Sequence, residues 1–235
     1  MRVALFLHGQ PRDLERGHAV LERFMKKHKN TTFDVYLHAW TEDRETEQKI
    51  LDLYKPVSHT FEQQIDFDLS AYKDTIAYNN SDVNKFRYHG EGRGIIHSGK
   101  PHVWLVLSRW YSMNECQKLV IKYYDRVIST RYDFLNEIEF HLEGETLSNI
   151  YVAPDHGYRV IFNDNFIVFP YIAYKKVIGI YEELYELFNN SEVDFIMKSF
   201  NEKLYINSEE ILLASLIHNN YLNCVLKTNT IPNFI

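Results

Sequence analysis

The sequence predicts a single α/β domain, Rossmann-like, with a mostly parallel central sheet and helices on both of its faces. Segments of strand type alternate with helical segments along the first sixty residues, which is the pattern of consecutive β-α-β units. The run Val3–Leu7 is apolar throughout, as in a strand that helices cover on both sides. No repeat, low-complexity tract or change of composition divides residues 1–235 into smaller units.

The N-terminal part supplies three strands and two helices. The predicted strands are Val3–Leu7, Phe33–Trp40 and Val57–Glu62, and the predicted helices are Leu14–Lys29 and Glu42–Tyr54. Residues 63–101 then lose their periodicity, and a connection this long inside a domain is typical of a functional loop or a lid. Its glycine-rich, basic segment Gly90–Lys100 is predicted to be a mobile cover over an anionic ligand.

The C-terminal part begins with the longest helical pattern of the chain, Val103–Tyr123. The other predicted elements are the strands Val127–Thr130, Asn149–Pro154, Phe166–Phe169 and Leu222–Leu226, and the helices Ile172–Phe188, Val193–Leu204 and Ile211–His218.

Composition excludes some classes of protein. A formal net charge of −6 argues against a general nucleic-acid binder, which needs a basic face. Cys116 and Cys224 lie far apart without metal-ligand spacing, so we expect a reducing, cytoplasmic setting. The apolar run at the N-terminus is too short for a signal peptide or a membrane span, and we expect neither.

Several catalytic and cofactor motifs are absent. The sequence has no Gly-x-Ser-x-Gly elbow, no Gly-x-Gly-x-x-Gly fingerprint after the first strand, and no paired zinc-ligand spacing. The segment Gly94–Lys100 has the glycine and lysine spacing of a phosphate-binding P-loop. Pro101, however, stands where that loop needs Ser or Thr, and no strand precedes it, so we reject this interpretation.

Polar residues follow several of the predicted strands, and the carboxyl ends of parallel strands meet at one edge of a sheet. These residues are Gly9 and Arg12, His38 and Trp40, Arg131 and Asp133, and Asn163 and Asp164, with Glu209 at the start of a helix. Arg12 and Arg131 are suited to hold a diphosphate, and Asp133 to bind a divalent cation that neutralises it. Asp164 is suited to accept a proton from a hydroxyl group. The set suits transfer from an activated nucleotide donor.

The order of these motifs resembles a group of small glycosyltransferases from viruses and bacterial surface-polysaccharide clusters. The resemblance rests on a strand leading into His8-Gly9-Gln10-Pro11-Arg12, a second strand ending His38-Ala39-Trp40, the helical Ser108–Ser112 segment, Asp125–Asp133, Asn163–Phe166 and Ser208–Leu212. It implies a GT-A fold that binds a nucleotide-sugar donor through His8, Gly9, Gln10, Arg12, His38, Trp40, Ser112 and Arg131.

The resemblance also implies a metal ion, Mn²⁺ or Mg²⁺, on an Asp-x-Asp motif that ends a central strand. Here that triplet reads Arg131-Tyr132-Asp133, so only the second carboxylate is kept, and Arg131 is able to supply part of the cation's charge. The sequence therefore leaves open whether the enzyme needs a metal ion.

Other roles stay open as well. His38 and Trp40 suit core packing as well as donor binding, and Ser112 suits a helix-packing seam. Glu209 is either a helix-dipole charge or a group that orients the acceptor or acts as the base. Asp164 is the base if the reaction inverts the anomeric centre and an acceptor-positioning group if it does not.

We therefore expect a cytoplasmic enzyme that transfers a sugar from a nucleotide-diphosphate donor to a glycan hydroxyl. The alternatives are a binding module for nucleotides or carbohydrates without turnover, and a nucleotidyltransferase that releases pyrophosphate.

Overall fold

The computed structural model describes residues 1–80, 102–143, 145–153, 163–204, 206, 208–227 and 230–231. The strands are β1 (Arg2–Gly9), β2 (Thr32–Trp40), β3 (Ser58–Glu62), β4 (Arg126–Arg131), β5 (Glu137–Ile138), β6 (Ile150–Ala153), β7 (Asn163–Pro170), β8 (Val225–Lys227) and β9 (Thr230–Ile231). The helices are α1 (Leu14–Lys27), α2 (Arg44–Tyr54), α3 (Ile76–Asn80), α4 (His102–Lys118), α5 (Tyr171–Gly179), α6 (Leu184–Phe188), α7 (Ser191–Ser199) and α8 (Ser208–His218).

Seven strands form the central sheet in the order β3-β2-β1-β4-β7-β6-β8. Within this sheet every strand except β7 runs in the same direction. The predicted α/β architecture with a mostly parallel sheet is thereby confirmed. Strands β5 and β9 pair separately as a two-stranded sheet.

The alternation of side chains along β1 explains why helices cover both faces. Val3, Leu5 and Leu7 point into one core cluster, which they share with α1 and α2. Ala4 and Phe6 point into the other cluster, which they share with α4 to α8. Since successive side chains of a strand alternate between faces, the next residue on the α4 face after Phe6 is His8.

Three helical predictions differ from the structure in extent. The long helix predicted as Val103–Tyr123 ends at Lys118 in α4. The segment predicted as one helix, Ile172–Phe188, is divided into α5 and α6 by a 3-10 turn at Ile180–Glu183. The segment predicted as Val193–Leu204 ends at Ser199, and Asn201 follows in a left-handed conformation with φ of 59°, which stops a helix.

Part of the long connection between β3 and α4 has structure of its own. A 3-10 turn at Leu69–Tyr72 precedes the short helix α3. The Asn80 amide donates to Asp194 Oδ1 and to the Leu204 carbonyl, both at 3.1 Å, so this segment is tied to the C-terminal helices. The predicted cover Gly90–Lys100 lies outside the described residues.

Among the helices of the described chain, none combines the length and the apolar character that crossing a membrane requires.

Candidate active site

The strand order reverses between β1 and β4. From β1 the chain proceeds to β2 and β3 on one side, and it returns to the other side of β1 with β4. In open α/β sheets such a switch point leaves a crevice outside the carboxyl ends of the strands, where ligands bind. The two segments that follow these strands are the Gly9–Arg12 turn and Arg131–Asp133. The structure therefore places both predicted segments at the same edge, side by side.

Three predicted site residues form a row across this edge. His8 on β1 is in register with His38 on β2 and with Arg131 on β4. Residues in register on parallel strands present their side chains on the same face, which here is the face covered by α4. Helix α4 brings Ser112 to this row, where its hydroxyl contacts His38, and it brings Arg109 close enough for its charge to act on His8.

A buried hydrogen-bonded chain connects Gly9 to Glu62. The Gly9 backbone N–H donates to Ser112 Oγ at 2.7 Å. Ser112 Oγ lies 2.6 Å from His38 Nδ1, and His38 Nε2 lies 2.5 Å from Glu62 Oε1. A carboxylate only accepts, so Nε2 carries the proton, and Nδ1 accepts the Ser112 hydroxyl hydrogen. Burial lowers the pKa of His38 more than the Glu62 carboxylate raises it, which keeps the ring neutral.

These hydrogen bonds from Gly9 to Glu62 fix the turn after β1. Gly9 has a φ of +98°, a conformation that side-chain-bearing residues rarely adopt, although a Cβ here would meet nothing within 4 Å. Ser112 and His38 are fully buried, so both act on the crevice through the position of Gly9. The exposed side chains of the turn are those of Gln10 and Arg12. Gln10 donates to Gln64 Oε1 at 3.1 Å.

Trp40 packs in an aromatic cluster with His38 and Tyr111. Its ring stacks on Tyr111 of α4 with centroids 5.2 Å apart, and it meets the His38 ring edge-on at 4.6 Å. The indole is buried, and its N–H has no hydrogen-bond partner within the part of the chain that the structure describes. Packing accounts for its position, and its predicted contact with a donor remains a prediction.

Arg131 and Asp133 form a bidentate ion pair. Arg131 Nε donates to Asp133 Oδ1 at 2.7 Å, and Nη2 donates to Oδ2 at 2.6 Å. The two side chains are 37% and 17% exposed, so the pair stands at the mouth of the crevice.

The groups around Asp133 do not suit a divalent cation. Both of its oxygens already accept hydrogen bonds from a guanidinium group, which repels a metal ion. Across the described part of the chain, no three His, Cys, Asp or Glu side chains are grouped so that they could hold a metal. These residues therefore do not fit the predicted Mn²⁺ or Mg²⁺ site.

A cavity of about 230 Å³ opens beside the ion pair. It is lined by Arg131, Asp133, Phe134, Leu135, Asn136 and Asn165. Asn165 reaches this edge because β7 runs against its neighbours, which brings the start of β7 beside the end of β4. Arg109 of α4 donates to Asn165 Oδ1 at 3.2 Å and so stands behind the cavity. Arg109 and Asn165 both lie in motifs that the sequence analysis names, Ser108–Ser112 and Asn163–Phe166. The sequence predicted a turn at Asn165, whereas the structure has it in strand β7.

His8 lies near Arg109 and Arg131. It is 1% exposed, and among the described residues neither ring nitrogen has a hydrogen-bond partner. Burial lowers its pKa well below the ordinary value, and the charges of Arg109 and Arg131 lower it further, followed by His38. A neutral imidazole with unmet hydrogen-bonding capacity is costly inside a protein, and such groups cluster at functional sites.

The two predicted catalytic carboxylates are placed only in part. Asp164 belongs to β7 by its backbone, and its side chain lies outside the described residues. Glu209 lies half-buried in the first turn of α8, and the neighbouring Ser208 accepts a hydrogen bond from Trp110 of α4 at 3.2 Å. Their roles remain predictions.

No family model matches the sequence, and no curated protein matches it significantly. Among solved structures, the chain is similar to an active-site mutant of LgtC, with a TM-score of 0.45 and 10% identity over 97% of this chain and 73% of that one. LgtC is described as a galactosyltransferase. The glycosyltransferase GlyE of Streptococcus pneumoniae gives a TM-score of 0.44 and 12% identity over 97% of this chain and 45% of that one.

The bifunctional glycosyltransferase WbbM gives a TM-score of 0.42 and 12% identity over 97% of this chain and 38% of that one. This chain thus spans less than half the length of GlyE and of WbbM. With TM-scores below 0.5, these likenesses carry no information on substrates or on the roles of individual residues.

Proposed function

We propose that this protein is a glycosyltransferase that moves a sugar from a nucleotide-diphosphate donor to a glycan hydroxyl. The observation that carries the proposal is the meeting of the Gly9–Arg12 turn and the Arg131–Asp133 segment at the switch point of the sheet. The ordered series of motifs that resembles small glycosyltransferases supports the same assignment.

The donor's diphosphate would lie along the carboxyl edge, with Arg131 inside the crevice and Arg12 at its exposed rim. In the reaction, the bond between the sugar's anomeric carbon and the diphosphate oxygen breaks, and its electron pair leaves with the diphosphate. The acceptor oxygen bonds to the anomeric carbon and loses its proton. Positive groups placed in advance at the diphosphate favour this step because negative charge develops there.

The proton from the acceptor needs a destination. If the reaction inverts configuration, a carboxylate base on the acceptor side takes it, and we propose Asp164, with Glu209 orienting the acceptor. If the reaction retains configuration, the departing diphosphate takes it. NMR of the product anomer distinguishes the two.

A donor-hydrolysis assay tests the proposal. The full chain is incubated with a panel of nucleotide-diphosphate sugars, and free nucleoside diphosphate is measured with and without simple glycan acceptors. We expect slow release from one donor, faster with an acceptor, and a loss of release in Arg131→Gln.

Arg44→Gln is the matched control, because Arg44 is an exposed arginine in the first turn of α2. Donor binding without turnover would instead identify a non-catalytic module. Release of pyrophosphate from a nucleoside triphosphate would identify a nucleotidyltransferase.

A further inference from the structure

The positively charged residue that lines the cavity is paired with an anion of the protein itself. Of the six described residues that line it, Arg131 is the one cation and Asp133 the one anion. A second guanidinium group, that of Arg109, stands behind Asn165. The imidazole of His8, which is buried near both arginines, has unmet hydrogen-bonding capacity.

The geometry of the ion pair resembles that of an arginine bound to a phosphate. The guanidinium fork of Arg131 donates two nearly parallel hydrogen bonds, from Nε and Nη2, to the two oxygens of Asp133. Phosphate oxygens accept from the same fork in the same bidentate manner. The Asp133 carboxylate thus sits where a diphosphate oxygen pair would sit.

The pair is also accessible enough for exchange. Arg131 is 37% exposed and Asp133 17% exposed, so water screens their attraction. An incoming diphosphate, which carries more charge than one carboxylate, is able to displace Asp133 from Arg131.

We infer that Asp133 is an internal counter-ion for Arg131 and that the donor's diphosphate replaces it on the arginine without a divalent cation. This inference rests on the proposed function, because it specifies how that site holds its donor.

Isothermal titration calorimetry with UDP, GDP and ADP tests it, in EDTA and in Mn²⁺ or Mg²⁺. The variants are Asp133→Asn and Arg131→Gln, each checked for folding by circular dichroism. Asp52→Asn and Arg44→Gln make the same charge changes on α2, where both residues are exposed.

A counter-ion role and a metal-ligand role for Asp133 predict opposite effects of Asp133→Asn on nucleotide affinity. If Asp133 is a counter-ion, the nucleotide that binds does so equally in EDTA and in metal, Asp133→Asn binds it as tightly or more tightly, and Arg131→Gln weakens it about tenfold to a hundredfold. If Asp133 is a metal ligand, binding requires the metal and Asp133→Asn abolishes it.

Weaker binding by Asp133→Asn under either condition overturns the inference while leaving the proposed function standing. Absence of binding by every nucleotide in both buffers overturns the proposed function, and the inference falls with it.

Discussion

Replacing Gly17 with alanine tests how the site segment is supported from below. Gly17 lies on α1, and a Cβ built on it would stand 1.8 Å from the backbone oxygen of Tyr132, where ordinary contact begins at 3.4 Å. Tyr132 is the residue between Arg131 and Asp133, and it is fully buried. The helix and the site segment therefore touch backbone to backbone, and only glycine allows it.

The expected cost follows from two opposing effects. Alanine stabilises a helix interior by about 1 kcal/mol relative to glycine. Forcing extra volume into a well-packed core costs about 1–3 kcal/mol, and a backbone oxygen cannot rotate away as a side chain would. We expect Gly17→Ala to lower the free energy of unfolding by up to about 2 kcal/mol in urea titrations.

Gly179→Ala is the matched control. Gly179 is the last residue of α5, and its added Cβ would stand 3.4 Å from the amide nitrogen of Gln117, which is the end of a flexible side chain. We expect this variant to be neutral or stabilised by up to about 1 kcal/mol. Gly17→Ala should also weaken nucleotide binding, because relief of the contact moves Arg131 and Asp133. Stabilisation of Gly17→Ala to the same degree as Gly179→Ala would refute the reasoning.

Three further results are expected. As the pH falls below about 6.5, the free energy of unfolding should fall by up to ~1.4 kcal/mol per pH unit for each of His8 and His38. The reason is that folding lowers both pKa values, so the unfolded chain binds more protons. His8→Leu should reduce this slope, and an unchanged slope would contradict the prediction. Ser112→Ala should cost about 1–3 kcal/mol by leaving the Gly9 N–H unpaired, with thermal unfolding as the readout and an unshifted midpoint as the contrary result. Arg126→Met should cost at least ~2 kcal/mol, since the buried guanidinium group donates to three backbone carbonyls, yet it should leave nucleotide affinity unchanged because Arg126 begins β4 at the opposite edge.

The sequence predicted secondary structure best where the pattern of apolar residues along an element is regular. The continuous apolar run of β1 and the alternation of the first five elements predicted β1 to β3 and the two helices between them to within two residues at each end. The direction of β7 could not be predicted, because a strand covered on both faces is apolar whichever way it runs. The short pair β5 and β9 has two residues in each strand, which is too few for any periodicity.

The site was predictable as a location and not as a set of contacts. Strand ends placed Gly9 and Arg131 at one edge, as the register confirms. The pairing of Arg131 with Asp133 depends on how the chain turns after β4, which spacing does not encode. The contact of Arg109 with Asn165 depends on the reversed strand, so it could not be anticipated before the direction of β7 was known.

The hydrogen-bonded chain from Gly9 to Glu62 has a consequence for how the protein folds. Gly9 and Ser112 are 103 positions apart, and the intervening residues His38 and Glu62 come from two other strands. Contacts so distant in sequence form late, because closing the loop costs entropy before any bond repays it. A nascent chain that has completed β3 holds the glycine, the histidine and the glutamate but lacks the hydroxyl group that joins them. The Gly9–Arg12 turn is therefore fixed in place only after α4 has docked on β1 to β3.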